Sequence, residues 1–338
     1  MVRLPTLLLL GALALAGCSA TGSGTGSGAP AAAPAHPTPD PWADLPAGPA
    51  PAVPYVAGRR YVGPDGTRRL PGGARGLSGV VPFAGGLLVA DTSYFEGTNG
   101  LALVRRGRYD ATWSPGGACS SGVPVASPDG HHVAWTTVRY PESGDVGEGA
   151  VHRARADGSG EVVRPTGPGL VQAVGFVGGE VVYDRGFRDG AWRTDFRGPP
   201  VRIPGVDRVV ALSARGLLVG QRGDRVRLVL DLRGKVRWRA AAGDLSWFSP
   251  DGSRVLAVDG DRLRVLATGD GSVRAELTLP AGTDGSTVVW EGDRSLLAVA
   301  ERGGRVAVVR LRLDGTAERA TAAVVVRGGR APYVLVGQ

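Results

Sequence analysis

From Pro54 to the C-terminus, short apolar runs alternate with Gly, Asp-Gly and Pro, and long amphipathic runs are missing. Trp247-Phe-Ser-Pro-Asp-Gly-Ser-Arg-Val-Leu-Ala-Val258 shows the unit, two apolar strands joined by a Ser-Pro-Asp-Gly turn. Residues 125–135 repeat it around Ser127-Pro-Asp-Gly130. Pro presets φ at the second turn position, Asp can bond its own backbone, and Gly accepts the positive φ that reverses the chain. A sustained helical period is hard to find after residue 17, so the pattern predicts an all-β body of short strands.

The hairpins come in two alternating kinds. The first, apolar on both sides of its turn, falls at 80–92, 123–138, 171–184, 208–221, 245–258, 288–300 and 324–336. The second, a charged strand that turns at Gly and returns, falls at 60–71, 103–113, 152–164, 192–204, 228–238, 264–277 and 308–321. Each kind recurs about every 35 to 50 residues, near the period of one four-stranded propeller blade. The second kind comes first and the first kind comes last. The end hairpins therefore predict one shared blade, two strands from each terminus, which closes the ring and removes two sheet edges. The expected architecture is a seven-bladed β-propeller over residues 55–338, closed by strands from both termini.

Two motifs carry a resemblance. Ser127-Pro-Asp-Gly130 and Ser249-Pro-Asp-Gly252, each before an apolar strand, resemble the TolB-type, WD-repeat-like propeller repeats of bacteria. Leu230-Asp-Leu-Arg-Gly-Lys-Val-Arg-Trp-Arg239 is similar to one repeat of the quinoprotein-type propellers. Such motifs specify turns and packing, so the resemblance implies a fold and leaves the activity open.

Composition adds an address. The 55 Gly and 43% hydrophobic content of these 338 residues suit short strands around a sizeable core. Residues 1–17 differ: one charge, Arg3, precedes an apolar run from Leu7 too short to span a bilayer, the pattern of a secretory signal peptide. Leu15-Ala-Gly-Cys18 resembles the lipobox of bacterial lipoproteins, which implies lipid on Cys18 and a protein anchored at the extracytoplasmic face of the cell membrane. Residues 18–54 are Ser, Gly, Thr, Ala and Pro with His36, Asp40, Trp42 and Asp44 as isolated exceptions, and read as a tether. Cleavage before Cys18 leaves 38 basic and 31 acidic side chains, a net +7. That excess reads either as GC-rich codon usage or as attraction to anionic lipid or cell-wall polymer. Nucleic acid is not an expected partner outside the membrane. Cys119 has no second thiol to pair with once Cys18 is lipidated.

Candidate chemistry is sparse. Of the four His, His36 lies in the tether, His131 and His132 are adjacent and so point to opposite faces of a strand, and His152 opens a charged strand. No cofactor or metal is expected. The Asp-Gly clusters at 259–261, 269–271 and 284–285 read as turns. Trp113, Trp135, Trp192, Trp238, Trp247 and Trp290 recur at corresponding blade edges, where bulky side chains fill the wedge between blades.

The connectors are more informative, because a regular ring needs only short ones. The link between the two hairpins of a blade shares a face with the link to the next blade, and there 91–100, 139–149 and 184–190 are long. They carry Tyr94, Phe95, Glu96, Asn99, Tyr140, Glu142, Asp145, Glu148, Arg185, Phe187, Arg188 and Asp189, the aromatic and Arg anchors among acids that a binding surface uses. The expected function is a membrane-anchored, non-enzymatic binding or scaffold module for an envelope protein or polymer. The alternative is a propeller enzyme, a quinone- or sugar-dependent oxidoreductase or a lyase, with its site at the central channel.

Overall fold

The computed structural model describes residues 42–71, 76–95, 98–112, 122–139, 147–186, 189–223, 226–240, 244–326 and 333–336, with the backbone alone at 92–95 and 98–99. The described chain opens with β1 (Tyr55–Ala57), β2 (Arg60–Gly63) and β3 (Gly66–Arg69). Blade one follows as β4 (Leu77–Phe83), β5 (Gly86–Phe95), β6 (Thr98–Arg105) and β7 (Arg108–Tyr109). Blade two is β8 (Val125–Ala126), β9 (His132–Arg139), β10 (Glu148–Arg155) and β11 (Val162–Pro168). Blade three is β12 (Gln172–Val177), β13 (Glu180–Asp184), β14 (Ala191–Thr194) and β15 (Val201–Ile203). Blade four is β16 (Arg208–Leu212), β17 (Leu217–Arg222), β18 (Val226–Asp231) and β19 (Val236–Arg239). Blade five is β20 (Asp244–Phe248), β21 (Arg254–Asp259), β22 (Arg262–Ala267) and β23 (Val273–Thr278). Blade six is β24 (Val289–Trp290), β25 (Ser295–Arg302), β26 (Arg305–Arg312) and β27 (Ala317–Arg319), followed by β28 (Val324–Val325) and β29 (Tyr333–Leu335).

Each blade is an antiparallel meander, and β29 pairs with β1 to complete a seventh sheet in the order β29-β1-β2-β3. The ring is therefore a seven-bladed propeller closed by both termini, as the hairpin phase predicts. The division of the closing blade differs from expectation: three strands come from the N-terminal side and one from the C-terminal side. Tyr55-Val-Ala57 supplies the extra N-terminal strand. The expected last hairpin, 324–336, does not form as such, because β28 pairs with β26 and only β29 crosses to the closing blade. Its turn, Gly328-Gly329, lies outside the described residues.

The first strands of successive blades approach one another, β8 to β12, β12 to β16, β16 to β20 and β20 to β24, and so surround the axis. Apolar clusters fill the wedges between sheets. Phe83, Leu88 and Leu103 of blade one pack on Val133, Trp135 and Ala154 of blade two. Trp238 donates through Nε1 to the Thr268 carbonyl of the next blade at 2.9 Å, and Trp290 to the Trp247 carbonyl at 3.0 Å. Trp135, Trp238 and Trp290 are thus wedge residues, and in Trp238 and Trp290 the one polar atom of the ring is bonded to a neighbouring carbonyl.

The Ser-Pro-Asp-Gly turns behave as their residues dictate. Ser127 Oγ donates to Asp129 at 2.5 Å and accepts the His132 N–H, and Ser249 repeats this with Asp251 at 2.6 Å and the Arg254 N–H. Serine and backbone donors hold both aspartates well below the usual carboxylate range, despite some burial of Asp251. The same local logic explains the Asp-Gly clusters: Asp270 accepts from Ser272, and Asp284 caps a short 3-10 turn through the Ser286 N–H.

The tether, expected to run to Pro54, ends sooner. From Trp42 onward it is a strap seated on blade six. Trp42 is fully buried among Leu263, Leu296 and Leu311, with the Arg302 guanidinium 4.7 Å above its ring. Ala47 forms a parallel bridge to Arg319, with Gly48 N–H donating to the Arg319 carbonyl and Arg319 N–H to Pro46. The strap thereby covers an outer sheet edge that would otherwise stand open.

Candidate docking face

On one face of the ring lie the links between second and third strands and the links from blade to blade. In blades five and six the former shrink to Gly260-Asp261 and Gly303-Gly304, the minimum for a two-residue hairpin with positive φ. In blades two and three they span 140–147 and 185–190. In blade one the segment expected as a loop at 91–100 is instead a continuation of the sheet: β5 runs to Phe95, β6 starts at Thr98, and Phe95 pairs with Thr98 across a register slip after Asp91. The hairpin continues past the Asp91–Gly100 pair to the Phe95–Thr98 pair.

Tyr94, Phe95 and Asn99 fall on this hairpin, and Glu96 lies outside the described residues, as do Tyr140, Glu142, Asp145, Phe187 and Arg188. Cys18 and Cys119 lie outside them too. Glu148 is exposed at the start of β10. Arg185 is fixed in place: its guanidinium lies 5.5 Å from the Trp192 ring and 3.4 Å from Asp189, while Trp192 Nε1 donates to the Asp189 carbonyl at 3.0 Å. Leu170, 54% exposed on the adjoining link from blade two, borders this cluster through Gly186. The structure thus brings Arg185 and Asp189 of the expected surface together with Trp192, expected at a blade edge, and with an exposed apolar residue beside them.

Beneath them sits a carboxyl that composition does not reveal. Asp184, 5% exposed, accepts the Val209 N–H at 2.7 Å and the Gly186 N–H at 2.8 Å, stapling blade three to the first strand of blade four. Burial pushes its pKa up to about 6, against the pull of those two donors and of Arg208. Asp91 is its counterpart in blade one, 4% exposed beside a cavity of about 10 Å³, the room of one water, with Tyr109 Oη at 3.5 Å.

Sequence reading also passes over a polar chain in the wedge between blades one and two. His152 Nε2 lies 2.8 Å from Thr137 Oγ1 and Nδ1 lies 2.8 Å from Glu161 Oε1, with the ring stacked on Trp135 at 5.2 Å. Burial lowers the imidazole pKa, partly opposed by Glu161. In the neutral ring, Nδ1–H donates to the carboxylate and Nε2 accepts the threonine hydroxyl, the order of groups found in hydrolase triads. Thr137 is only 5% exposed and Ala134 and Val133 continue its strand into the core, so the chain of bonds works as a wedge fastener. Its signal was available: Trp135 and Thr137 alternate on one strand, and His152 pairs across from Trp135.

No family model matches the chain, and no curated protein matches it significantly. Among solved structures it is similar to an oligogalacturonate lyase in complex with manganese, at 14% identity and TM-score 0.50 over 75% of this chain and 82% of that one. It is also similar to TolB from Acinetobacter baumannii, at 18% identity and TM-score 0.42 over 69% and 67%, and to the WD40 β-propeller domain of Doa1, at 10% identity and TM-score 0.49 over 80% and 87%. At 14% identity the likeness to the lyase is one of fold, and it agrees with the seven sheets closed into a ring.

Proposed function

We propose that the protein is a lipid-anchored, extracytoplasmic propeller that binds an envelope protein through the face built by blades one to three, without catalysis of its own. The observation that carries this is the one-sided elaboration of that face: a β5–β6 hairpin continued to the Phe95–Thr98 pair, with links at 140–147 and 185–190, against two-residue links in blades five and six. The Arg185–Asp189–Trp192 cluster beside exposed Leu170 has the make-up of an interface anchor, an Arg held over an aromatic ring with an apolar neighbour. On this reading residues 1–17 are removed, Cys18 carries the lipid, and 19–41 span the distance from the membrane.

The test is affinity capture from the native envelope with crosslinking, comparing wild type with Tyr94→Ala/Phe95→Ala/Tyr140→Ala/Phe187→Ala. Capture is expected to be lost while thermal unfolding stays the same; unchanged capture removes this face from consideration. Cys18→Ala is expected to shift the protein from the membrane fraction to the soluble fraction.

A second reading, an enzyme acting at the channel, draws on one observation. Ser246 and Trp247 together oppose Leu256, a β-bulge in an innermost strand, and Trp247 stands 37% exposed there. Native mass spectrometry and metal analysis of protein from its own host discriminate: a bound small molecule displaced by Trp247→Ala supports this reading, and an empty chain counts against it.

A further inference from the structure

The docking face leaves unused a set of arginines where the closing blade meets blade one. Arg60 lies directly opposite Arg69 in the β2–β3 ladder, and Arg105 directly opposite Arg108 in the β6–β7 ladder. Like charges directly opposite one another weaken a sheet. Two arginines of the region are compensated: Arg105 donates to Asp110 at 2.8 Å and to the Ala84 carbonyl at 3.1 Å, and Arg68 donates to the Gly86 carbonyl at 2.7 Å with Asp65 at 3.8 Å. Arg60, Arg69, Arg106 and Arg108 are exposed, and their side chains have no hydrogen bond or ion pair among the described residues.

Tertiary structure brings the two ladders together. A Cβ placed on Gly107 would lie 3.3 to 3.4 Å from the Arg69 side chain, so the hairpin tip bearing Arg106 and Arg108 rests on the Arg69 stem. That tip is a two-residue turn with φ of 51° at Arg106 and 74° at Gly107. Asn-Gly is the easy sequence for such a turn, yet Arg occupies the first left-handed position. Three arginines elsewhere have acids beside them: Arg193 bonds Glu180 at 2.6 Å, Arg312 lies 3.3 Å from Glu318, and Arg237 lies 3.7 Å from Asp231.

We propose that this seam binds a linear, phosphate-bearing polymer whose successive phosphates bridge Arg60 with Arg69 and Arg106 with Arg108. A phosphate set between the Arg60 and Arg69 guanidinium forks accepts bidentate bonds from each and removes the repulsion that the bare β2–β3 ladder carries. The cations follow two short edge hairpins end to end, a strip that suits a thread better than a planar membrane surface. No residue is shared with the docking face, so this site stands or falls separately.

The test uses the full chain carrying Cys18→Ala, so that no lipid contributes, titrated with long-chain inorganic polyphosphate over a range of salt. Arg69→Gln/Arg106→Gln/Arg108→Gln is expected to weaken binding about tenfold or more and to flatten the salt slope by about 0.7 for each arginine removed. Arg237→Gln/Arg239→Gln/Arg274→Gln, the same change in charge elsewhere on the rim, is expected to leave both within about twofold. Polyphosphate should also raise the melting temperature of wild type and not of the seam triple. Equal losses in the two triples would reduce the effect to net charge and overturn the proposal. So would unchanged binding in the seam triple, or binding to phosphatidylglycerol vesicles without binding to polyphosphate.

Discussion

Blade six and the seam between the closing blade and blade one use the same side chain in opposite ways. In blade six, Arg310 is 6% exposed and each of its guanidinium N–H groups has an acceptor. Glu291 takes two, Glu318 one, and the strap carbonyls of Pro49 and Ala50 the others, while Glu291 also accepts the Ala52 N–H at 2.6 Å. The hydrogen bonds to Glu291 raise the Arg310 pKa above its ordinary value against the opposing effect of burial. At the seam, Arg60, Arg69, Arg106 and Arg108 are exposed, and Arg60 stands directly opposite Arg69. A buried charge persists only when every donor is satisfied; an exposed cluster of like charges persists at a small cost that a ligand can reverse. The first pattern therefore marks structure, and the second marks a place that awaits an anion.

The comparison can be broken at its strongest point first. Arg310→Ala leaves Glu291 buried without its partner and releases the strap, and is expected to cost about 3–5 kcal/mol in urea denaturation. A loss below about 1 kcal/mol would mean that the strap is not part of the folded unit. The same dependence predicts that a domain started at Ala52, which lacks Trp42, Pro49 and Ala50, melts well below the full chain.

Asp184 sharpens the contrast on the acidic side. Its folded pKa of about 6 lies above the ordinary 3.8, so its contribution to stability is fully present below about pH 3.8 and is lost as pH rises through about 6. Two pKa units correspond to roughly 3 kcal/mol. The stability difference between wild type and Asp184→Asn should therefore move against wild type by about that much between pH 3.5 and 7, and a flat difference would show that the carboxyl is solvated. The smallest effect belongs to the seam: Arg69→Gln relieves the opposition with Arg60 and is expected to stabilise the free protein by about 0.2–1 kcal/mol, where Arg310→Ala destabilises it.

Much of the ring was legible because its signals are local. Ser127-Pro-Asp-Gly130 and Ser249-Pro-Asp-Gly252 close on themselves through bonds within a few residues, so their meaning does not depend on the rest of the chain. The wedge role of Trp135, Trp238 and Trp290 follows from size and position in a repeat. The closing blade was harder. Tyr55-Val-Ala57 is a three-residue strand ahead of the first turn, too short to announce itself beside a Pro-rich segment, and only its pairing with β29 makes it one. Trp42 was visible as an exception in a featureless stretch, but its burial depends on blades five and six meeting beneath it. On the docking face, the unequal links could be read from spacing alone, while Asp184 could not be separated from any other Asp that ends a strand until Val209 arrived from the next blade.

Sequence by itself determined the all-β class, the number of sheets, the turns and the closure by both termini, because turn chemistry and apolar alternation act over a few residues and repeat. Tertiary structure alone decided which arginines are spent and which are free, where the tether ends, and which carboxyls are buried. Those outcomes depend on backbone groups and side chains brought together from residues 42–54 and 291–319, or 60–69 and 105–108, and charge responds to the whole surrounding volume and not to neighbours in the chain.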